Sequence, residues 1–252
     1  MESETRWELS WRRPDNIPHP KVWNIFEATS KKTGCKYNIK IQDIPPDRFD
    51  ESIDFMETNL DDYEPVFKAV DILKDSESVV AHRIMRRKLL EQKISLMAVI
   101  DDENKPQSKP EIIGTLLLGV KSKNDPPTKQ AGIQLNKVFT LFARIMNGFD
   151  PFQLLESDSY VLHWGISVAP KYYGLGVGLE LELSSSYVGK ACGISGSSIV
   201  FTSNYSKPFA EKLGCTIISE LRYDEFKNEH GEVIIPNIMN GSRGVYVIWK
   251  YP

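Results

Sequence analysis

The chain has 252 residues, of which 41% are hydrophobic and 26% charged, with a formal net charge of -3. That length can bury one sizeable core, and no basic run with interleaved aromatics suggests a nucleic-acid partner. Three widely spaced cysteines, Cys35, Cys192 and Cys215, fit neither a zinc pattern nor a disulfide framework.

The N-terminus MESETRWELSW lacks an apolar signal core, and no apolar run reaches 18 residues. The expectation is a soluble protein of a reducing compartment, most simply the cytosol, with no membrane partner and no metal. A monomer is expected, with a dimer as the alternative.

Residues 1–20 are rich in proline and polar groups and read as an extended arm. Val22 to Ala28 and Tyr37 to Ile44 alternate apolar and polar residues around Ser30–Gly34, a hairpin signal. Residues 1–36 are therefore taken as an arm plus a first strand, preceding a main domain of residues 37–252. Pro45-Pro46-Asp47 starts a helix with Phe49, Ile53, Met56 and Leu60 on one face, and the acidic loop Asp61–Pro65 interrupts it. A second helix is expected over Ser78 to Lys93. Its cluster Arg83, Arg86, Arg87 and Lys88 reads as a solvated face.

Ser95 to Asp101 and Ile112 to Lys121 are apolar enough to be strands, joined by the surface loop DENKPQSKPE. About thirty residues of mixed helical periodicity follow, marked by Val138, Leu141, Phe142 and Ile145. Later come a short strand from Ser198 to Phe201, a short helix from Pro208 to Leu213, and strands over Thr216–Tyr223 and Val245–Trp249. The order is that of one α+β domain, a mostly antiparallel sheet with inserted helices.

The most informative stretch is Val161 to Gly178, VLHWGISVAPKYYGLGVG. Trp164 to Val168 reads as a buried strand ending at Pro170. A turn with Gly174, Gly176 and Gly178 follows, then a helix carrying Leu179, Leu183 and Tyr187 at helical spacing. The first turn of a helix has unpaired N–H donors and a positive dipole end. Glycine lets that backbone approach a ligand closely, so the segment suits an anionic cofactor. It is not a nucleotide P-loop, since no lysine follows the glycines, and Leu179 stands where a dinucleotide fingerprint needs its third glycine.

Lys171-Tyr172-Tyr173-Gly174-Leu175-Gly176 resembles the [QR]xxGxG/A pyrophosphate loop of the GNAT acetyltransferase superfamily, with lysine in place of glutamine or arginine. Phe201-Thr202-Ser203-Asn204-Tyr205-Ser206 followed by FAEKLGC resembles a strand-to-helix segment of the insect-type arylalkylamine N-acetyltransferase branch. Asp62-Tyr63-Glu64-Pro65 resembles that branch's acidic element, with Val66 for its leucine.

The resemblance implies the GNAT fold with an extra N-terminal hairpin, and acetyl-CoA as co-substrate. It places Lys171, Tyr173, Gly174, Leu175, Gly176, Val177 and Gly178 at the pyrophosphate, with Asn204 also on the cofactor. Backbone groups of Ile166, Ser167 and Val168 would lie along the pantetheine and thioester. Glu64 takes the catalytic-base position, Ser206 and Thr202 order the proton path, and Tyr205 protonates the departing thiolate. The implied reaction is direct transfer of acetyl to a small primary amine, with Tyr63, Phe67 and Phe142 as candidates for the amine pocket.

Other readings stay open on the residues alone. Glu64 is also a candidate solvated acid beside Asp61 and Asp62, and Ser206 a helix N-cap with Pro208 in the first turn. The acceptor could be a polyamine, an amino acid or a protein lysine, and the donor a longer acyl-CoA. A catalytically silent CoA-binding protein is the non-enzymatic alternative. His163 reads as a satisfied core or sheet-face histidine, His19 and His230 as loop residues, and Cys192 and Cys215 as small core residues.

Overall fold

The computed structural model describes residues 6–61, 64–101, 109–129, 132–203, 206–236, 238 and 242–252, with Ser206 and Lys207 described in backbone only. The strands are β1 (Val22–Thr29), β2 (Lys36–Asp43), β3 (Leu96–Ile100), β4 (Ile112–Ser122), β5 (Ser159–Val168), β6 (Gly196–Phe201), β7 (Thr216–Arg222) and β8 (Arg243–Lys250). They form one sheet in the order β1-β2-β3-β4-β5-β6-β8-β7. Every neighbouring pair is antiparallel except β5 and β6. The expected hairpin is β1–β2, and its second strand continues the ladder onto β3.

The helices are α1 (Phe49–Met56), α2 (Pro65–Ala69), α3 (Ser76–Glu91), α4 (Ile133–Met146), α5 (Pro151–Leu155), α6 (Val177–Ala191) and α7 (Ser206–Leu213). Side chains alternate across a strand, and the central strands use both faces. Leu96 and Ala98 of β3 pack with Leu181 and Val188 of α6, whereas Met97 and Val99 pack with Ile53 of α1 and Leu89 of α3. Residues 112–120 of β4 are all buried for that reason. A strand covered on both faces reads as a continuous apolar run.

α5 was not anticipated; Asp150 caps it by accepting from the Phe152 N–H at 2.9 Å. The N-terminal arm is docked on the body of the domain. Arg6 and Lys129 exchange backbone hydrogen bonds, and Ser10 bonds Asp125 through both its N–H and its hydroxyl. Trp7 and Leu9 are thereby buried in the core that α1 and α3 share.

The basic cluster in α3 is not uniformly solvated. Arg86 is fully buried and makes a two-point ion pair with buried Asp61, at 2.6 and 2.9 Å. Arg83 and Arg87 instead reach half-exposed or exposed acids on α1 and the π-helical turn Glu57–Asp61 that follows it. No helix among the described residues is long and apolar enough to cross a membrane.

Candidate active site

The site begins where the sheet opens. β5 and β6 pair only through Val161↔Ser197 and Leu162↔Ser198, and beyond those residues the two strands carry no mutual pairing. On its other edge β5 stays paired with β4, but Leu116↔Ile166 and Leu118↔His163 leave Trp164 and Gly165 opposite a single residue. This is a β-bulge, and Gly165 holds φ +120° within it. A side chain there would also press on Leu60 at 2.8 Å, so glycine is required twice over.

Backbone alternation fixes which donors face the gap. The Ala169 N–H donates to Ile113 O at 2.9 Å, on the β4 side. Successive residues of a strand point their N–H groups to opposite edges, so Ser167 also points toward β4. Ile166 and Val168 are left to point into the gap. Of the three β5 positions inferred from sequence, two turn their backbone N–H toward the gap.

The glycine turn delivers further donors. Pro170–Tyr172 makes one tight turn, and Gly176 caps α6 in the left-handed region at φ +80°. Gly174 and Gly176 have open space where a Cβ would stand. A Cβ on Gly178 would lie 3.8 Å from Ile166 Cδ1 and 3.9 Å from Val168 Cγ2, so the first turn of α6 rests against the same two β5 residues. These features fit an anionic, phosphate-bearing ligand, with donors at a helix start and more along the adjoining strand. Val177 and Leu175 are buried, while Tyr173 is exposed. Lys171 Nζ is 3.1 Å from the Tyr172 hydroxyl, which donates to Glu111 at 2.8 Å.

A cavity of about 350 Å³ occupies the gap. Its walls include Trp7, Phe67, Phe139, Phe142, Tyr160, Trp164 and Phe201, and it reaches Glu64, His163, Glu182, Thr202 and Ser203. α4 carries two of the rings and is docked onto α3: Asp75 and Ser78 accept the N–H groups of Gln134 and Leu135. Trp164 stacks on Phe139, centroids 4.9 Å apart, and Trp7 leans on both rings at 5.8 Å. The Trp164 indole donates to His82 Nε2 at 3.0 Å, so His82 is neutral, with Nδ1 3.6 Å from Asp61. Burial, then the nearby Arg86 charge, holds the His82 pKa well below its ordinary value.

Glu64 precedes Pro65 and caps α2: its Oε2 accepts from the N–H groups of Val66 and Phe67 at 2.8 and 2.9 Å. Oε1 is buried and has no hydrogen-bond partner of good geometry among the described residues. Burial raises the pKa of this carboxyl above the ordinary range. The Thr202 hydroxyl and the two backbone N–H groups offset part of that rise, and Asp61 adds to it. Thr202 is itself held by Tyr223, whose hydroxyl donates to its carbonyl. Glu64 is thus not a solvated acid, and Asp61 is committed to Arg86.

α7 already includes Ser206, with Pro208 in its first turn as expected. Asn204, Tyr205, Tyr63, Asp62 and the Ser206 side chain lie outside the described residues. Phe67 and Phe142 both reach the cavity. His163 is buried as expected but not well satisfied: Nδ1 stands 2.9 Å from Glu182 Oε2, and among the described residues neither ring nitrogen has a hydrogen-bond partner of good geometry. Among the described residues no group of three or more His, Cys, Asp or Glu could hold a metal ion.

This architecture is the GNAT acetyltransferase fold. An insect putative arylalkylamine N-acetyltransferase 7 from the yellow fever mosquito Aedes aegypti is similar with a TM-score of 0.86 and 23% identity, over 96% of this chain and 100% of that one. Arylalkylamine N-acetyltransferase 2 from Aedes aegypti follows at 0.73 and 18%, over 85% and 99%. A Drosophila melanogaster polyamine N-acetyltransferase that forms N-acetylagmatine matches at 0.66 and 15%, over 84% and 99%. At these identities the likeness is one of fold. No family model matches the chain.

Proposed function

We propose that this chain is an acetyl-CoA-dependent N-acetyltransferase that acts on a small primary amine with an aromatic body. The observation that carries the reading is Glu64: a buried carboxyl, one oxygen of which has no hydrogen-bond partner of good geometry among the described residues, on the wall of a ring-lined cavity that reaches Ile166 of β5 and Glu182 of α6. An amine enters as an ammonium ion and cannot attack a thioester until it loses a proton. A carboxylate whose pKa is raised by burial is suited to take it.

The backbone donors around Gly176, Val177 and Gly178 would hold the pyrophosphate of acetyl-CoA. The N–H groups of Ile166 and Val168 would lie along the pantetheine and thioester, where a fixed donor stabilises the developing oxyanion. The bound cofactor supplies the activated acetyl group. Rings on three sides favour an aromatic acceptor over a polyamine, which needs acidic groups spread along its length. Among the described residues the acids lining this cavity are Glu64 and Glu182, and Glu182 faces His163.

The test is thiol release from acetyl-CoA across arylalkylamines, polyamines and amino acids, with Glu64→Gln in parallel. Saturable turnover of arylalkylamines that the variant loses is expected. Turnover confined to polyamines would sink the aromatic reading.

A further inference from the structure

His163 and Glu182 form a second titratable centre in the cavity, and the acyl-transfer scheme above leaves it without a role. His163 follows the last β5–β6 pair, at the apex of the splay, and Glu182 projects from α6. Nδ1 and Oε2 stand 2.9 Å apart, with the side chains only 3% and 2% exposed. Both residues line the cavity. Nevertheless Nδ1, Nε2 and Oε2 all lack a hydrogen-bond partner of good geometry among the described residues.

Burying an imidazole and a carboxylate together is costly even at ion-pair distance, and apolar residues of similar size would pack more favourably. With Glu182 on the Nδ1 side, Nε2 is the nitrogen left for a ligand.

Its location points to one task. Glu64 lies on the α2 wall. His163 and Glu182 lie at the α6 side of the gap, where the arm of a cofactor held at the helix start would descend. Glu182 is six residues into α6 from Gly176, about 9 Å along the axis at 1.5 Å per residue. Glu64 and His163 thus approach the cavity from different walls.

We propose that His163, held by Glu182, carries a proton from the attacking nitrogen to the departing sulfur, an inference that rests on the acetyl-transfer reading. Glu64 takes the first ammonium proton and releases it to solvent, the one net proton of the reaction. The nitrogen lone pair forms the N–C bond, and the tetrahedral intermediate still holds one proton too many on nitrogen. His163 Nε2 accepts that proton. As the C–S bond breaks, its electron pair goes to sulfur, and His163 gives sulfur the proton, leaving a thiol, an amide and the imidazole unchanged.

The experiment compares wild type with His163→Gln, His163→Ala and Glu182→Gln, using acetyl-CoA and the best amine. His163→Gln is expected to lower kcat at least a hundredfold, with amine KM and acetyl-CoA affinity within threefold. Glu182→Gln should lose about tenfold through the orientation of His163 alone. Added imidazole should restore His163→Ala in a saturable way, a rescue that a purely structural role would not show. His163→Gln turning over within threefold of wild type overturns the proposal. So does a His163→Ala variant that binds acetyl-CoA but gains nothing from imidazole. If the wild type binds acetyl-CoA yet acetylates no amine, the acetyl-transfer reading fails, and this one with it.

Discussion

Replacing Glu64 by glutamine separates its chemistry from its structural duty. Oε2 caps α2, and a glutamine carbonyl oxygen can accept the same two backbone N–H groups. What the amide cannot do is take a proton. General-base catalysis contributes roughly 10²–10⁴ in rate, so kcat should fall by that factor, about 3–5 kcal/mol of transition-state stabilisation. Acetyl-CoA affinity should hold, and Tm should hold or rise, because the amide has no charge to bury.

Glu64→Ala should show the same kinetic loss plus the cost of a missing cap, about 1 kcal/mol and thus a Tm drop of roughly 2–4 °C for a chain of this size. Stopped-flow thiol release, titration of acetyl-CoA binding and thermal melts on both variants make the test. A Glu64→Gln enzyme within threefold of wild type, or one that no longer binds acetyl-CoA, would refute the reasoning.

The same carboxyl has a pH signature. Its folded pKa is raised by burial, so between the ordinary glutamate value and the raised one the folded state holds more protons than the unfolded state. Stability therefore falls as pH rises through that window, and the wild-type melt should show this slope while Glu64→Gln lacks it. Activity should rise with pH through the raised pKa. Trp7→Ala should raise the amine KM about tenfold with little change in acetyl-CoA affinity, and cost about 3 kcal/mol in denaturant unfolding. Gly178→Glu adds an acid to the first turn of α6, which favours the helix but faces the anionic cofactor; Tm should hold or rise while acetyl-CoA affinity drops at least tenfold. Arg86→Met leaves Asp61 buried without its partner and should cost about 3–5 kcal/mol, whereas Asp61→Leu with Arg86→Met should recover most of it.

Much of this was legible in the chain because periodicity and glycine placement carry strong local signals. The alternation of Val22–Ala28 and Tyr37–Ile44, and the strand–turn–helix of Val161–Ala191, mapped onto β1–β2 and β5–α6. What escaped depends on distant partners. Trp7 sits in a segment with no period of its own and is placed by Lys129 and Asp125. Arg86 was misread by its charge, although Ala81, His82, Met85, Arg86, Leu89 and Leu90 form one buried helical stripe. That spacing was the available signal, and composition masked it. Its partner, Asp61, lies 25 residues away.

The buried pair also explains how the base and the ring wall come to share one cavity. Asp61 closes the π-helical turn after α1, and the Glu64 N–H donates to Leu60 O at 2.6 Å, so the segment bearing Glu64 is anchored within one turn of Asp61. Asp61 is locked by Arg86 of α3, and one turn earlier on that helix His82 takes the Trp164 indole N–H. Trp164 lies in the β5 bulge, next to the Gly165 that makes room for Leu60. A short run of contacts thus joins the base, the aromatic wall and the strand whose N–H groups face the gap. A hydrophobic replacement of the pair would keep the packing, but two-point charge pairing fixes one register of Asp61 against α3. Such a register suits a reaction in which the carboxyl must meet an amine within hydrogen-bond reach.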